Sequence, residues 1–175
     1  MRMILAIDIG NSTTTIGLFD NAGKILFIAS IETNRSLTRD QCAIALMDVL
    51  RLYGHDAKEV TGAIIASVVP PLTPAMASAI ARLTGKAPMQ VGPGIKTGLN
   101  IRTELHTQLG ADIVASAVAA LSKYPTPIIV IDMGTGTTIS LINRQGAYEG
   151  CAIFPGVHIA LSALSKHAAQ LPEIS

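Results

Sequence analysis

Two stretches of this sequence have residues suited to phosphate chemistry: Asp8-Ile9-Gly10-Asn11-Ser12-Thr13-Thr14-Thr15 and Asp132-Met133-Gly134-Thr135-Gly136-Thr137-Thr138. Each places an acidic residue, a glycine and a run of hydroxyls directly after four apolar residues, Ile4-Leu5-Ala6-Ile7 and Ile128-Ile129-Val130-Ile131. Asp132 stands 124 positions after Asp8, and Gly134 stands 124 after Gly10. A glycine supplies the turn dihedrals and lets an anion approach the main chain. Backbone N–H groups and the side chains of Asn11, Ser12 and Thr13 can donate to phosphate oxygens. An aspartate at a strand end can hold a metal ion, or its water, that bridges phosphates, which makes Asp8 a candidate for magnesium. A single Asp-x-Gly turn is also a common hairpin former. Repetition at one fixed offset, with matched flanks, favours the phosphate reading.

Gly110-Ala111-Asp112 is a third candidate, at the start of an expected helix. An aspartate there caps the helix or favours its dipole. The alternative is a general base that takes a proton from a hydroxyl attacking a γ-phosphate. His55, His106, His158 and His167 lack metal-ligand spacing and read as surface or packing residues. Lys96 and Arg102 flank an irregular stretch where either could meet a carboxylate, and each also reads as solvated surface charge.

The elements that position these groups follow from hydrophobic periodicity. Residues 3–9 form a near-continuous apolar run, a buried strand. Residues 14–20 alternate, and 24–31 form a third strand after the Asp20-Asn21-Ala22-Gly23 turn. Thr38 with Gln41 three residues on is a capping-box pattern for a helix to about Gly54. A strand over 63–69 stops at Pro70-Pro71, a helix covers 73–83 and a short strand covers 88–91. An irregular polar stretch then runs from Gly92 to Gln108, and a helix follows from Asp112 to about Tyr124. A second meander covers 128–132, 137–143 and 148–153, before a helix from Val157 to about Ala169.

Composition bounds the remaining readings. The chain has 175 residues, 49% hydrophobic, which excludes a disordered chain. Its net charge of +1 gives no electrostatic case for nucleic acid or an acidic membrane surface. Aromatic content of 3% without Trp argues against base-stacking platforms. Cys42 and Cys151 lack a Cys-x-x-Cys spacing and read as buried, reduced thiols of a cytoplasmic protein. The start is too short for a signal segment, and no apolar run approaches the ~18 residues of a membrane span.

Two similar meanders, each opening on a hydroxyl turn, imply an α/β fold of duplicated lobes. Each lobe is a mixed sheet beginning with an antiparallel meander and flanked by helices. The division falls at 1–110 and 111–175. The first meander is followed by helix, strand, helix and strand, whereas the second is followed by one helix. By this symmetry the second lobe reads as incomplete.

Taken together these residues resemble the type III pantothenate kinases. The resemblance rests on Asp8-Ile-Gly-Asn-Ser, Ser67-Val-Val-Pro-Pro-Leu-Thr73, Lys96-Thr-Gly-Leu99 with Ile101-Arg102, Gly110-Ala-Asp112, Asp132-x-Gly134-Thr135, and the run from Gly150 to Gly156 and on to Ala168-Ala-Gln-Leu-Pro172. It implies an actin-like (ribonuclease H-like) two-lobed fold and a homodimer. It implies ATP-dependent phosphorylation of pantothenate to 4′-phosphopantothenate, the first step of coenzyme A synthesis. By the resemblance Asp8 to Thr15 form the first phosphate loop and Thr135 contacts ATP. Gly110, Ala111, Asp112 and Ile113 touch pantothenate, with Asp112 as proton acceptor. Asp132 binds a monovalent cation, potassium or ammonium. ATP and magnesium complete the set. Three positions depart from the family's usual residues: Ile113 stands for Arg, Thr103 for a Tyr that contacts pantothenate, and Gly136 for Ala. The chain also ends before a family segment that supplies a substrate-contacting Thr. These departures keep open a non-catalytic regulatory protein on the same scaffold, and a kinase of the same superfamily with another small substrate.

Overall fold

The computed structural model describes residues 2–92, 95–102 and 109–167. The chain divides into two compact units: Met1–Ile95 with Gly110–Asp112, and Lys96–Leu109 with Ile113–Ser175.

In the first unit, β1 (Met3–Ile9), β2 (Thr13–Phe19) and β3 (Ile25–Glu32) form the expected meander. With β4 (Val60–Ser67) and β5 (Met89–Gln90) they make a sheet ordered β3-β2-β1-β4-β5. β1 is central, antiparallel to β2 and parallel to β4. Alternate β1 residues Met3, Leu5, Ile7 and Ile9 sink into the core. They share that core with Leu46 and Leu50 of α1 (Arg39–Leu52) and Met76 and Ile80 of α2 (Thr73–Thr84). α1 starts as expected: the Gln41 N–H donates to Thr38 Oγ1 at 3.3 Å, and the Thr38 N–H donates to Gln41 Oε1 at 2.9 Å. β4 starts three residues earlier than the sequence suggests. Val60 pairs with Met3, and a register shift between Met3 and Ile4 absorbs the Thr61-Gly62 step that interrupts the apolar pattern. Cys42 lies in this core, where burial pushes its thiol pKa up, as expected of an inert, reduced cysteine.

In the second unit, β7 (Ile128–Met133), β8 (Gly136–Ile142) and β9 (Ala147–Pro155) repeat the meander. The sheet order is β6-β9-β8-β7, with the two-residue β6 (Asn100–Ile101) parallel to β9. β6 falls inside the stretch read as irregular, because its only signal is an edge offered by β9, 47 residues later. α3 (Ala111–Lys123) supplies Ala117 and Ala120 to a core with Ile142 and Tyr148, and Ser140 Oγ lies 3.2 Å from the buried Tyr148 Oη. α4 (Val157–His167) follows β9.

The duplication extends to individual side chains, but the two faces differ. Leu5, Ile7 and Ile9 are 1%, 2% and 0% exposed, whereas their counterparts 124 positions on, Ile129, Ile131 and Met133, are 65%, 60% and 69% exposed. In the first unit α1 and α2 cover this face, and β4 pairs with the outer edge of β1. Among the described residues, β7 pairs only with β8. No helix among them is long and apolar enough to cross a membrane.

Candidate active site

The first hydroxyl turn closes β1 onto β2. The Gly10 N–H donates to the Thr13 carbonyl at 3.0 Å, and Asp8 pairs across the hairpin with Thr15. From the sequence, Gly10 is expected to supply special turn dihedrals. It has no positive φ. Its requirement is steric instead: a β-carbon there would lie 3.0 Å from the Thr13 carbonyl oxygen. The eight residues of this stretch divide by role. Asp8, Asn11, Ser12 and Thr13 are exposed, and Gly10 and Thr15 are half-buried. Ile9 is wholly buried in the core. Thr14 is buried, its hydroxyl 2.8 Å from that of Thr33. Ile9 and Thr14 therefore set the turn in place, and the other side chains face outward.

Beside this turn β4 ends at Ser67, which pairs with Ile9. The Val69 N–H donates to Ser67 Oγ at 3.1 Å and the Thr73 hydroxyl donates to it at 2.7 Å, fixing the β4–α2 corner. Val68 of that corner packs near Gly110. A β-carbon added at Gly110 would run into Asp112 Oδ1, so the Asp112 carboxylate folds back over the glycine. Asp112 sits half-buried in the first turn of α3, and Ala111 beside it is buried. Ile113 turns to the apolar cluster of the second unit. Thr103 and His106 lie outside the described residues, as do Pro93, Gly94 and the 168–172 motif.

The second hydroxyl turn repeats the first in a different environment. Asp132 pairs with Thr138, and the Gly134 N–H donates to the Gly136 carbonyl at 3.1 Å. Asp132 and Thr135 are exposed. Gly156 is the residue that sequence reasoning passed over as a site component. Its N–H donates to the Thr135 carbonyl at 3.0 Å, and its carbonyl accepts from the Ala160 N–H at 2.9 Å. A β-carbon at 156 would strike the carbonyl oxygens of Gly134 and Thr135. Gly156 thus joins the second turn to the start of α4, a link between positions some twenty residues apart that no local pattern announces.

Among the described residues no three His, Cys, Asp or Glu side chains converge as a metal cage. A cation at either turn would have one exposed carboxylate, Asp8 or Asp132, and would complete its shell with water and phosphate oxygens. At Asp8 that donor set suits magnesium, which keeps several waters and takes one or two carboxylates beside nucleotide phosphates.

The family model of type III pantothenate kinase matches residues 4–175. The type III pantothenate kinase of Listeria welshimeri is 41% identical over 172 residues, covering 98% of this chain and 66% of the relative. The chain belongs to the type III pantothenate kinase family. Further members from Syntrophotalea carbinolica and Moorella thermoacetica are each 40% identical, and the chain covers 67% of each. The chain thus spans about two thirds of the length of these pantothenate kinases, and 66% of the Listeria protein.

Solved structures agree on the fold of this pantothenate kinase family member. The ethanolamine utilization protein EutJ from Carboxydothermus hydrogenoformans superposes with a TM-score of 0.56 at 16% identity, covering 98% of this chain and 58% of that one. The activator of the 2-hydroxyisocaproyl-CoA dehydratase from Clostridium difficile superposes with a TM-score of 0.54 at 11% identity, covering 87% of this chain and 46% of that one. The α/β architecture, two mixed sheets and four α-helices among the described residues, is of the actin-like fold class.

Proposed function

We propose that the protein to which this chain belongs phosphorylates pantothenate with ATP, giving 4′-phosphopantothenate for coenzyme A synthesis. The observation that carries the proposal is the family match over residues 4–175, supported by hydroxyl turns at the ends of β1 and β7. In this reading the loop from Asp8 to Thr15, seated by the buried Ile9 and Thr14, contacts ATP, as does Thr135, each turn offering N–H and hydroxyl donors to phosphate oxygens. Gly110, Ala111, Asp112 and Ile113 supply the pantothenate side. Asp112 accepts the proton of the attacking hydroxyl, and a carboxylate suffices because the transition state is loose and chiefly needs orientation. Asp8 would hold magnesium, which when bound would supply positive charge beside the phosphates. Asp132 would hold a monovalent cation, potassium or ammonium. We assign the protein to the cytoplasm as a homodimer.

The test is Asp112→Asn in the full-length gene product. Turnover should fall by about 10²- to 10⁴-fold, the usual contribution of a general base, with ATP affinity nearly unchanged. An unaltered rate would remove Asp112 from the role of base. One observation favours a second reading: Ile113 packs with apolar neighbours where the family usually places an arginine. A superfamily kinase acting on another small hydroxyl compound would show higher kcat/KM for that compound across a substrate panel.

A further inference from the structure

The segment after β3 is fastened to the first hydroxyl turn at three points. The Thr33 N–H donates to the Ser12 carbonyl at 2.9 Å, the hydroxyls of Thr14 and Thr33 meet at 2.8 Å, and Arg35 Nη2 donates to Asn11 Oδ1 at 2.9 Å. The segment is also braced internally. Asn34 Oδ1 accepts from the Ser36 N–H at 3.0 Å and from its hydroxyl at 2.7 Å. Leu37 packs against the first core, and Thr38 then caps α1. The backbone that carries Arg35 is therefore positioned before any ligand arrives, which lowers the ordering cost of using a long side chain.

Two consequences follow from the Arg35–Asn11 bond. The Asn11 amide has one oxygen and one NH₂ group, so committing the oxygen to Arg35 turns both N–H donors to the opposite side. The guanidinium carries five N–H donors, and only one is needed for Asn11. Arg35 is exposed, and among the described residues it forms no ion pair. A guanidinium fork matches phosphate oxygens in a way that a point-charge ammonium does not.

We propose that Arg35 is a phosphate-binding residue of the first turn: one N–H holds Asn11 in its donor orientation, and the remaining donors grip the polyphosphate of a nucleoside di- or triphosphate. This inference rests on the nucleotide reading given above. It adds a residue from outside the hydroxyl stretch, 24 positions from Asn11.

The experiment compares the full-length gene product with Arg35→Gln and Arg35→Lys. Calorimetric titrations use ATP, adenosine and inorganic tripolyphosphate, alongside steady-state kinetics and thermal melts. Loss of a charge-assisted contact should weaken ATP binding of Arg35→Gln by about 10- to 100-fold and raise the KM for ATP in step. Adenosine affinity, the KM for pantothenate and the Tm should stay as in the wild type. Arg35→Lys should recover part of the loss. ATP affinity of Arg35→Gln within about twofold of wild type overturns the proposal. So does a loss shared equally by ATP and adenosine with a lowered Tm, the signature of a purely structural residue. If the wild type binds no ATP, the nucleotide reading itself fails. Tripolyphosphate then decides Arg35 alone: weaker binding in Arg35→Gln upholds the anion site, and unchanged binding ends it.

Discussion

Replacing Gly110 by alanine should separate catalysis from stability. The added β-carbon would collide with Asp112 Oδ1, while the Asp112 carboxyl carbon at 3.5 Å and Val68 Cγ1 at 3.6 Å are ordinary neighbours. Gly110 has no positive φ, so alanine suits its backbone. The collision is with the end of a side chain rather than with backbone, so the carboxylate shifts while the main chain stays in place. Restoring a carbon–oxygen approach of about 3.3 Å moves the carboxylate by roughly 1 Å. A displacement of ~1 Å at a reacting group can cost about 10²-fold in rate, or about 2.7 kcal/mol in the barrier. Stability should hold or rise by about 0.4–1 kcal/mol, because alanine restricts the unfolded chain. Steady-state kinetics and thermal melts of the full-length gene product read both effects. The expected result is a kcat lowered about 10²-fold, an unchanged KM for ATP and an unchanged or higher Tm. A kcat within about threefold of wild type at equal Tm would refute the reasoning, since the carboxylate would then not be needed where it lies.

The repeat supplies a matched pair of core tests in the 175-residue chain. Ile7→Ala should destabilise by about 2–5 kcal/mol, whereas Ile131→Ala should change stability by about 0.5 kcal/mol or less; equal effects in urea denaturation would contradict the observed difference in burial. Gly156→Ala places a β-carbon against two main-chain carbonyls that cannot rotate aside, and should cost about 1–3 kcal/mol. Gly134→Ala, whose nearest neighbour would be 3.6 Å away, should be far milder, and the reverse order in thermal melts would show that the Gly156 contact is not rigid.

The strands and helices with strong periodicity were readable in the sequence because their signals are local. Met3 to Ile9 and the Thr38–Gln41 cap are examples, and both took the form their residues dictate. What escaped was set by partners distant in sequence. β6 exists because β9 offers it an edge. Gly156 matters because Thr135 donates no room for a side chain beside its carbonyl. Arg35 reaches the first turn only because Thr33 is pinned between Ser12 and Thr14. Within the hydroxyl stretch, composition marked the segment but could not separate the outward-facing Asn11 and Ser12 from Ile9 and Thr14, whose side chains hold the turn in the core. The faces of β1 and β7 have nearly the same sequence character, and among the described residues helices cover only the face of β1.

The central claim is that a hydroxyl of pantothenate receives the γ-phosphate of ATP. Its most direct test is mass-spectrometric detection of the product after incubating the full-length gene product with ATP, magnesium, potassium and pantothenate. The account predicts 4′-phosphopantothenate and ADP in equal amounts, with formation abolished or nearly so in Asp112→Asn. ADP release that does not depend on pantothenate, or no phosphorylated pantothenate while ATP binds normally, would contradict it.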